Sequence, residues 1–277
     1  MVRGGGRGHH GKHRVSASFP TLFVSHGAPT LALDPGQAGD MLRTLAPGLN
    51  GASALIVASA HWITEQPTLG LSERPPTIHD FRGFPAELYQ MRYPAPGAPA
   101  AARRALELLA AAGIQAGSDP ERGLDHGAWV PLRYLAPAAG TPVTQLSLSA
   151  RGSTHEHFRI GAALQPLARE GIVLLGSGSL THNLAELDRS GTPQTARWAQ
   201  EFADWFAARV EDGDVEALLD YRRRAPQAAR NHPTEEHLLP FFVALGANGG
   251  RPMQRRPGGV TFGALAMDAF VPLETGA

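Results

Sequence analysis

Short apolar, β-branched runs alternate along the chain with alanine- and leucine-rich stretches whose apolar residues recur at helical spacing. The runs predict strands over 21–25, 53–60, 142–148, 171–176 and 260–267. The amphipathic stretches predict helices over 37–46, 98–112, 127–136, 155–169, 194–211 and 234–245, with Phe202, Trp205, Phe206 and Val210 marking one such face. Strands that alternate with helices imply an α/β fold, here a single domain with a central, mostly parallel sheet flanked by helices. Between 72 and 97 the pattern fails. Pro75, Pro76, Pro85, Pro94 and Pro96 oppose regular structure there, while Phe81, Phe84, Tyr89 and Tyr93 supply apolar bulk, which predicts a long ordered loop over a pocket. Residues 1–18 are glycine-rich, basic and almost free of apolar residues, so they are expected to form a disordered tail to a catalytic domain over 19–277.

Composition narrows the function. The 277 residues include 25 basic and 25 acidic ones, so no overall basic field draws the chain to nucleic acid or to an anionic membrane, and a small-molecule substrate is expected. Without cysteine, any metal must be held by histidine, carboxylate or water. No apolar stretch reaches the roughly 20 residues that span a bilayer, and the start of the chain lacks the apolar segment of a signal peptide, so a cytoplasmic protein is expected.

The histidines carry the candidate chemistry. Val24-Ser25-His26-Gly27 and Val57-Ala58-Ser59-Ala60-His61-Trp62 each place an imidazole at the end of a strand-like run, at the sheet edge where open α/β folds bind ligands. His182 follows a strand and a glycine-serine turn, in Gly176-Ser177-Gly178-Ser179-Leu180-Thr181-His182-Asn183, with no Walker lysine to suggest a phosphate loop. His126 opens a helix beside Asp125, which is placed to orient its ring. His237 lies in Glu235-Glu236-His237, where Thr234 is a plausible N-cap, and His232 stands five residues earlier. His155 and His157, two apart at a helix start beside Glu156, read as surface or capping residues. His9, His10 and His13 read as part of a solvated tail, and Arg222-Arg223-Arg224 as a solvated helix end. Each histidine taken singly has a structural reading as a cap or a packed ring. Five of them on separate strand and helix ends point instead to a metal site at one sheet edge.

The strings SHGAPT, SAHW, PPTIHDFRGFP, RYPAPG, GLDHGAWVPL, GSGSLTHNL and EEHLLP occur in that order between Pro20 and Phe270. In this order and spacing the chain resembles the class III extradiol ring-cleavage dioxygenases of the LigB superfamily, in particular their DOPA 4,5-dioxygenase branch. The resemblance implies that His26, His61 and His237 hold a non-haem Fe(II), with Zn(II) as the other metal that three imidazoles suit. It implies His182 as the acid/base group or a fourth ligand, His126 as a second catalytic histidine, and His79 and Asp80 as substrate-binding residues. Arg82 departs from the pattern of relatives. The implied partners are a catecholic small molecule and O2, and the product a muconic semialdehyde. A zinc hydrolase, or a binding protein without activity on the same fold, are the competing readings of the same residues.

Overall fold

The structure, a computed structural model, describes residues 19–190 and 194–273, so the expected N-terminal tail lies outside the described residues. The strands are β1 (Thr21–Ser25), β2 (Ala54–Thr64), β3 (Thr68–Gly70), β4 (Gly117–Asp119), β5 (Val143–Ser149), β6 (Ile172–Gly178), β7 (Met253–Arg256), β8 (Val260–Thr261), β9 (Leu265–Ala266) and β10 (Ala269–Pro272). Eight of them form one sheet in the order β4-β3-β5-β2-β6-β1-β10-β7. Its centre, β5-β2-β6-β1, is parallel throughout. Antiparallel pairing begins at the flanks, where β3 meets β5, β10 meets β1 and β7 meets β10.

The central strands are buried at nearly every position because both faces of the sheet are covered, and apart from β5 they are mostly apolar. Successive side chains go to opposite layers. Phe23, Ile56 and Leu174 join one core, against the helices Pro99–Ala111, Thr154–Leu164, Arg197–Asp212 and Leu239–Ala247. Leu22, Val24, Leu55, Val57, Val173 and Leu175 join the other, against Gly36–Leu45 and His126–Leu135. On the first face, Thr154–Leu164 and Leu239–Ala247 touch backbone to backbone, since a Cβ on Gly161 would stand 1.9 Å from the Val243 carbonyl oxygen.

Three expectations are corrected. The run 260–267 is not one strand: Phe262 and Gly263 both adopt positive φ, so the chain reverses and makes the small β8-β9 hairpin, while β7 and β10 complete the large sheet. β7 escapes the pattern because Gln254, Arg255 and Arg256 give it the charged character of an edge strand. The helix expected over 234–245 begins only at Leu239 with Pro240 in its first turn, and Thr234 bonds the Glu236 carboxylate instead of capping it. His157 is not a surface group. It is fully buried, donates from Nδ1 to the Ser153 carbonyl and accepts the Ser149 N–H at Nε2, while Ser153 and Glu156 form the capping box of the helix. His155 is exposed, as are Arg222, Arg223 and Arg224 at the end of a short helix. Residues 72–97 form a loop apart from one short helical turn, Ala86–Gln90. Among the described residues no helix is long and apolar enough to cross a membrane.

Candidate active site

β1, β2 and β6 run parallel, with His26 directly after β1, His61 in the last four residues of β2 and His182 four residues past β6, so three separated stretches of sequence deliver imidazoles to one edge of the sheet. His26 follows β1 directly, and Gly27 after it adopts φ +64, a left-handed turn that lets the chain leave the strand at once. His61 lies where the β2-β5 register shifts between Ala58 and Ile63, an irregularity that turns its ring toward the site. His237 sits in the turn before Leu239–Ala247. That turn packs on β6, where the Ser179 N–H donates to the His237 carbonyl at 2.8 Å and Gly178 leaves room for the same carbonyl.

Nε2 of His26 and Nε2 of His61 approach to 2.9 Å, and one ring nitrogen from each of His26, His61 and His237 lies within 4.8 Å of the others. Hydrogen bonds fix two of these rings. Ser177 Oγ spends its proton on the Gly127 carbonyl, so it accepts at 3.0 Å from His26 Nδ1, which leaves the His26 Nε2 lone pair free. His237 Nδ1 donates to Glu236 at 3.0 Å, again freeing Nε2. A carboxylate or hydroxyl behind each ring is the usual support of a metal-bound imidazole. Burial, then the neighbouring imidazoles, push His26 well below the usual histidine range, and burial and His182 do the same to His237. Burial and His126 push His61 down to about 3. The rings are therefore neutral, the form in which histidine binds a metal. Three neutral imidazoles gathered this closely, with the Nε2 lone pairs of His26 and His237 left free, fit a divalent transition metal, and the donor type suits iron and zinc alike.

Two further histidines border this group. His182 lies flat on His237, with centroids 3.4 Å apart and planes 9° from parallel, and burial lowers its pKa. His126 is the first residue of its helix because Asp125 caps it, accepting the Ala128 N–H. Asp125 does not orient the His126 ring as expected; it is buried and bound to Ser59, Gln145 and Arg122. The orienting group is Asp80, which accepts from His126 N at 2.9 Å and from Nδ1 at 2.8 Å and stands 3.8 Å from His61 Nδ1. Burial alone would raise the Asp80 pKa, but the His126 hydrogen bonds hold it at about 2.

These rings border a cavity of about 510 Å3, whose apolar side includes Phe81, Phe84, Phe262 and Leu265 and whose lining also takes in Arg82 and Arg189. His79 and Asp80 lie outside this lining. His79 bonds the Met91 carbonyl and packs on Phe81, Tyr89 and Trp129, behind the wall. His232 is buried and donates to the Leu180 carbonyl, a structural role. Sequence reading missed Ser177 as a ring support, because a strand serine flanked by glycines carries no local sign of its partner.

The chain matches the family model of the catalytic LigB subunit of aromatic ring-opening dioxygenase over residues 20–262. It is 41% identical over 237 residues to a 4,5-DOPA dioxygenase extradiol of Beta vulgaris, covering 83% of this chain and 87% of the relative. A protein of the same description from Escherichia coli strain K12 is 38% identical over 257 residues, covering 91% and 94%. The crystal structure of an uncharacterized protein from Escherichia coli K12 superposes with a TM-score of 0.75 at 31% identity, covering 92% of this chain and all of that one. An α/β sheet with clustered histidines at its parallel edge, matched over nearly its whole length, is thus an enzyme of the class III extradiol ring-cleaving dioxygenases, and the chain belongs to the LigB superfamily.

Proposed function

We propose that this enzyme opens the ring of a side-chain-bearing, DOPA-like catechol beside its hydroxyls, inserting both atoms of O2 to give a muconic semialdehyde. The observation that carries the reading is the approach of the His26 and His61 Nε2 atoms to 2.9 Å with His237 beside them. His26, His61 and His237 hold the metal, Fe(II) for turnover with Zn(II) as an alternative occupant. When bound, the metal acidifies the catechol hydroxyls and lets electron density pass from the ring to O2.

His182 takes a catechol proton at its ring nitrogen and returns it as the O–O bond breaks. Its stacking on His237 keeps it beside the metal ligands, and its lowered pKa leaves it ready to accept. His126 presents Nε2 while Asp80 holds Nδ1–H, so its ring can steer a substrate oxygen or receive a proton. Asp80 and His79 act through the rings and the wall they support. Phe81, Phe84 and Phe262 hold the aromatic ring and restrict water. Carbon–carbon cleavage beside the diol yields one aldehyde and one carboxylate, and the four electrons O2 needs come from the substrate, so no external reductant enters.

Anaerobic loading with Fe(II), then a panel of catechols and air, should consume O2 and form a yellow semialdehyde. His61→Ala should lose the metal, whereas His182→Ala should keep it and lose turnover. If no catechol consumes O2 while the zinc-loaded protein cleaves esters, the site is a hydrolase centre and the proposal falls.

A further inference from the structure

The cavity has an uneven charge pattern. Among the described residues that line it, the formally charged ones are Arg82 and Arg189, and no aspartate or glutamate faces the same space. The two carboxylates near the rings are already engaged behind them, Asp80 with His126 and Glu236 with His237 and Thr234. Arg82 comes from the loop over the cavity and Arg189 from the segment after β6, so two stretches of chain far apart in sequence set cations at the rim. Both are exposed, and neither forms a hydrogen bond or ion pair with any described residue. Other exposed arginines have carboxylate partners, Arg230 with Glu186 and Arg104 with Glu107 and Glu170, whereas the two that line this cavity have none among the described residues. Asp34 and Asp188 turn to the neighbouring cavity, which Arg189 also borders.

We propose that Arg82 and Arg189 form a clamp for a side-chain carboxylate, so that the site selects catechols with an anionic side chain over zwitterionic, neutral or cationic ones. This rests on the ring-cleavage reading of the site. The catechol end lies among the histidines at the floor and the aromatic ring against Phe81 and Phe84. A carboxylate on a two- or three-atom tether then points toward the rim, where a guanidinium offers it a two-pronged donor. An ammonium on the same tether has no anionic partner in the lining and meets two like charges. A zwitterionic amino acid is therefore accepted by its carboxylate and penalised at its amino group, and the deaminated acid is the better substrate.

The test uses the Fe(II)-loaded enzyme and five catechols: 3-(3,4-dihydroxyphenyl)propionate, its amide, DOPA, dopamine and 4-ethylcatechol. Dissociation constants are measured anaerobically and kcat/KM in air. The propionate should exceed its near-isosteric amide by about tenfold and dopamine by more, with DOPA between, and the advantage should shrink as salt is added. Arg82→Gln and Arg189→Gln should each lower the propionate-to-amide ratio roughly 1.5- to 5-fold, in the range of solvent-exposed charge pairs. An amide or dopamine bound as tightly as the propionate, or a ratio unmoved by both substitutions, overturns the clamp while ring cleavage stands. Selective anaerobic binding of the propionate with no O2 uptake from any catechol overturns the ring-cleavage reading and leaves the clamp as a binding device.

Discussion

Gly178→Ala tests how the third imidazole is positioned without altering any histidine. A Cβ at this position would lie 2.0 Å from the His237 carbonyl oxygen and 3.0 Å from its carbon, with Phe23 Cε2 at 3.3 Å on another side. Ordinary contact starts near 3.4 Å, so the His237 turn must retreat by about 1.4 Å, from 2.0 to 3.4 Å. The obstacle is backbone, which cannot rotate away, and the retreat also stretches the 2.8 Å bond from Ser179 N to the same oxygen. Overpacking of this kind costs about 1–3 kcal/mol, or several degrees in Tm at about 2–4 °C per kcal/mol. Because His237 moves with its carbonyl, metal affinity should fall about 10- to 100-fold, the range seen when the support of a metal-bound ring is disturbed. Chelator competition after anaerobic loading measures the affinity, and a thermal melt measures the stability. Gly140→Ala is the control, since a Cβ there meets nothing within 4 Å. A Gly178→Ala protein that binds one metal with unchanged affinity and melts like the parent would refute the placement of His237.

Other consequences follow from the supporting bonds. Ser177→Ala removes the acceptor that holds His26 Nδ1–H and should weaken metal binding about 10- to 100-fold with a near-native fold, again read by chelator competition. Asp80→Asn should keep the metal but lower kcat about 10- to 100-fold, because the ring of His126 loses the carboxylate that fixes its tautomer; wild-type turnover would remove Asp80 from the mechanism. Burial lowers the His157 pKa while its bond to Ser153 opposes this, so the folded protein binds fewer protons at this site than the unfolded chain. Its contribution to stability is therefore complete above the unfolded value near 6.5 and is lost as pH falls below it, at up to about 1.4 kcal/mol per pH unit. His157→Gln should flatten the decline of Tm between pH 7 and pH 5, and a decline as steep as the parent's would show that another group causes it.

Much of the architecture is legible in the chain. The runs around Thr21–Ser25, Ala54–Ala60 and Ile172–Gly176 are largely apolar at successive positions, as a strand covered on both faces requires, and with the more polar Val143–Leu148 they form the parallel centre of the sheet. The strand-end histidines follow from the same pattern, because a strand end fixes which edge a side chain reaches. Pairing across long separations is not written locally. Whether Asp125 or Asp80 orients His126 depends on where a loop 46 residues away returns, and Ser177 and Glu236 become supports only when rings from other segments settle on them. The charged strand β7, the divided run 260–267 and the buried His157 were decided by neighbours that override local polarity. The sequence by itself determined the layered α/β fold and the imidazoles available to a metal. Tertiary structure alone decided their tautomers and spacing and the two arginines left unpaired at the rim, because lone-pair direction and charge balance belong to groups that meet only in the folded chain.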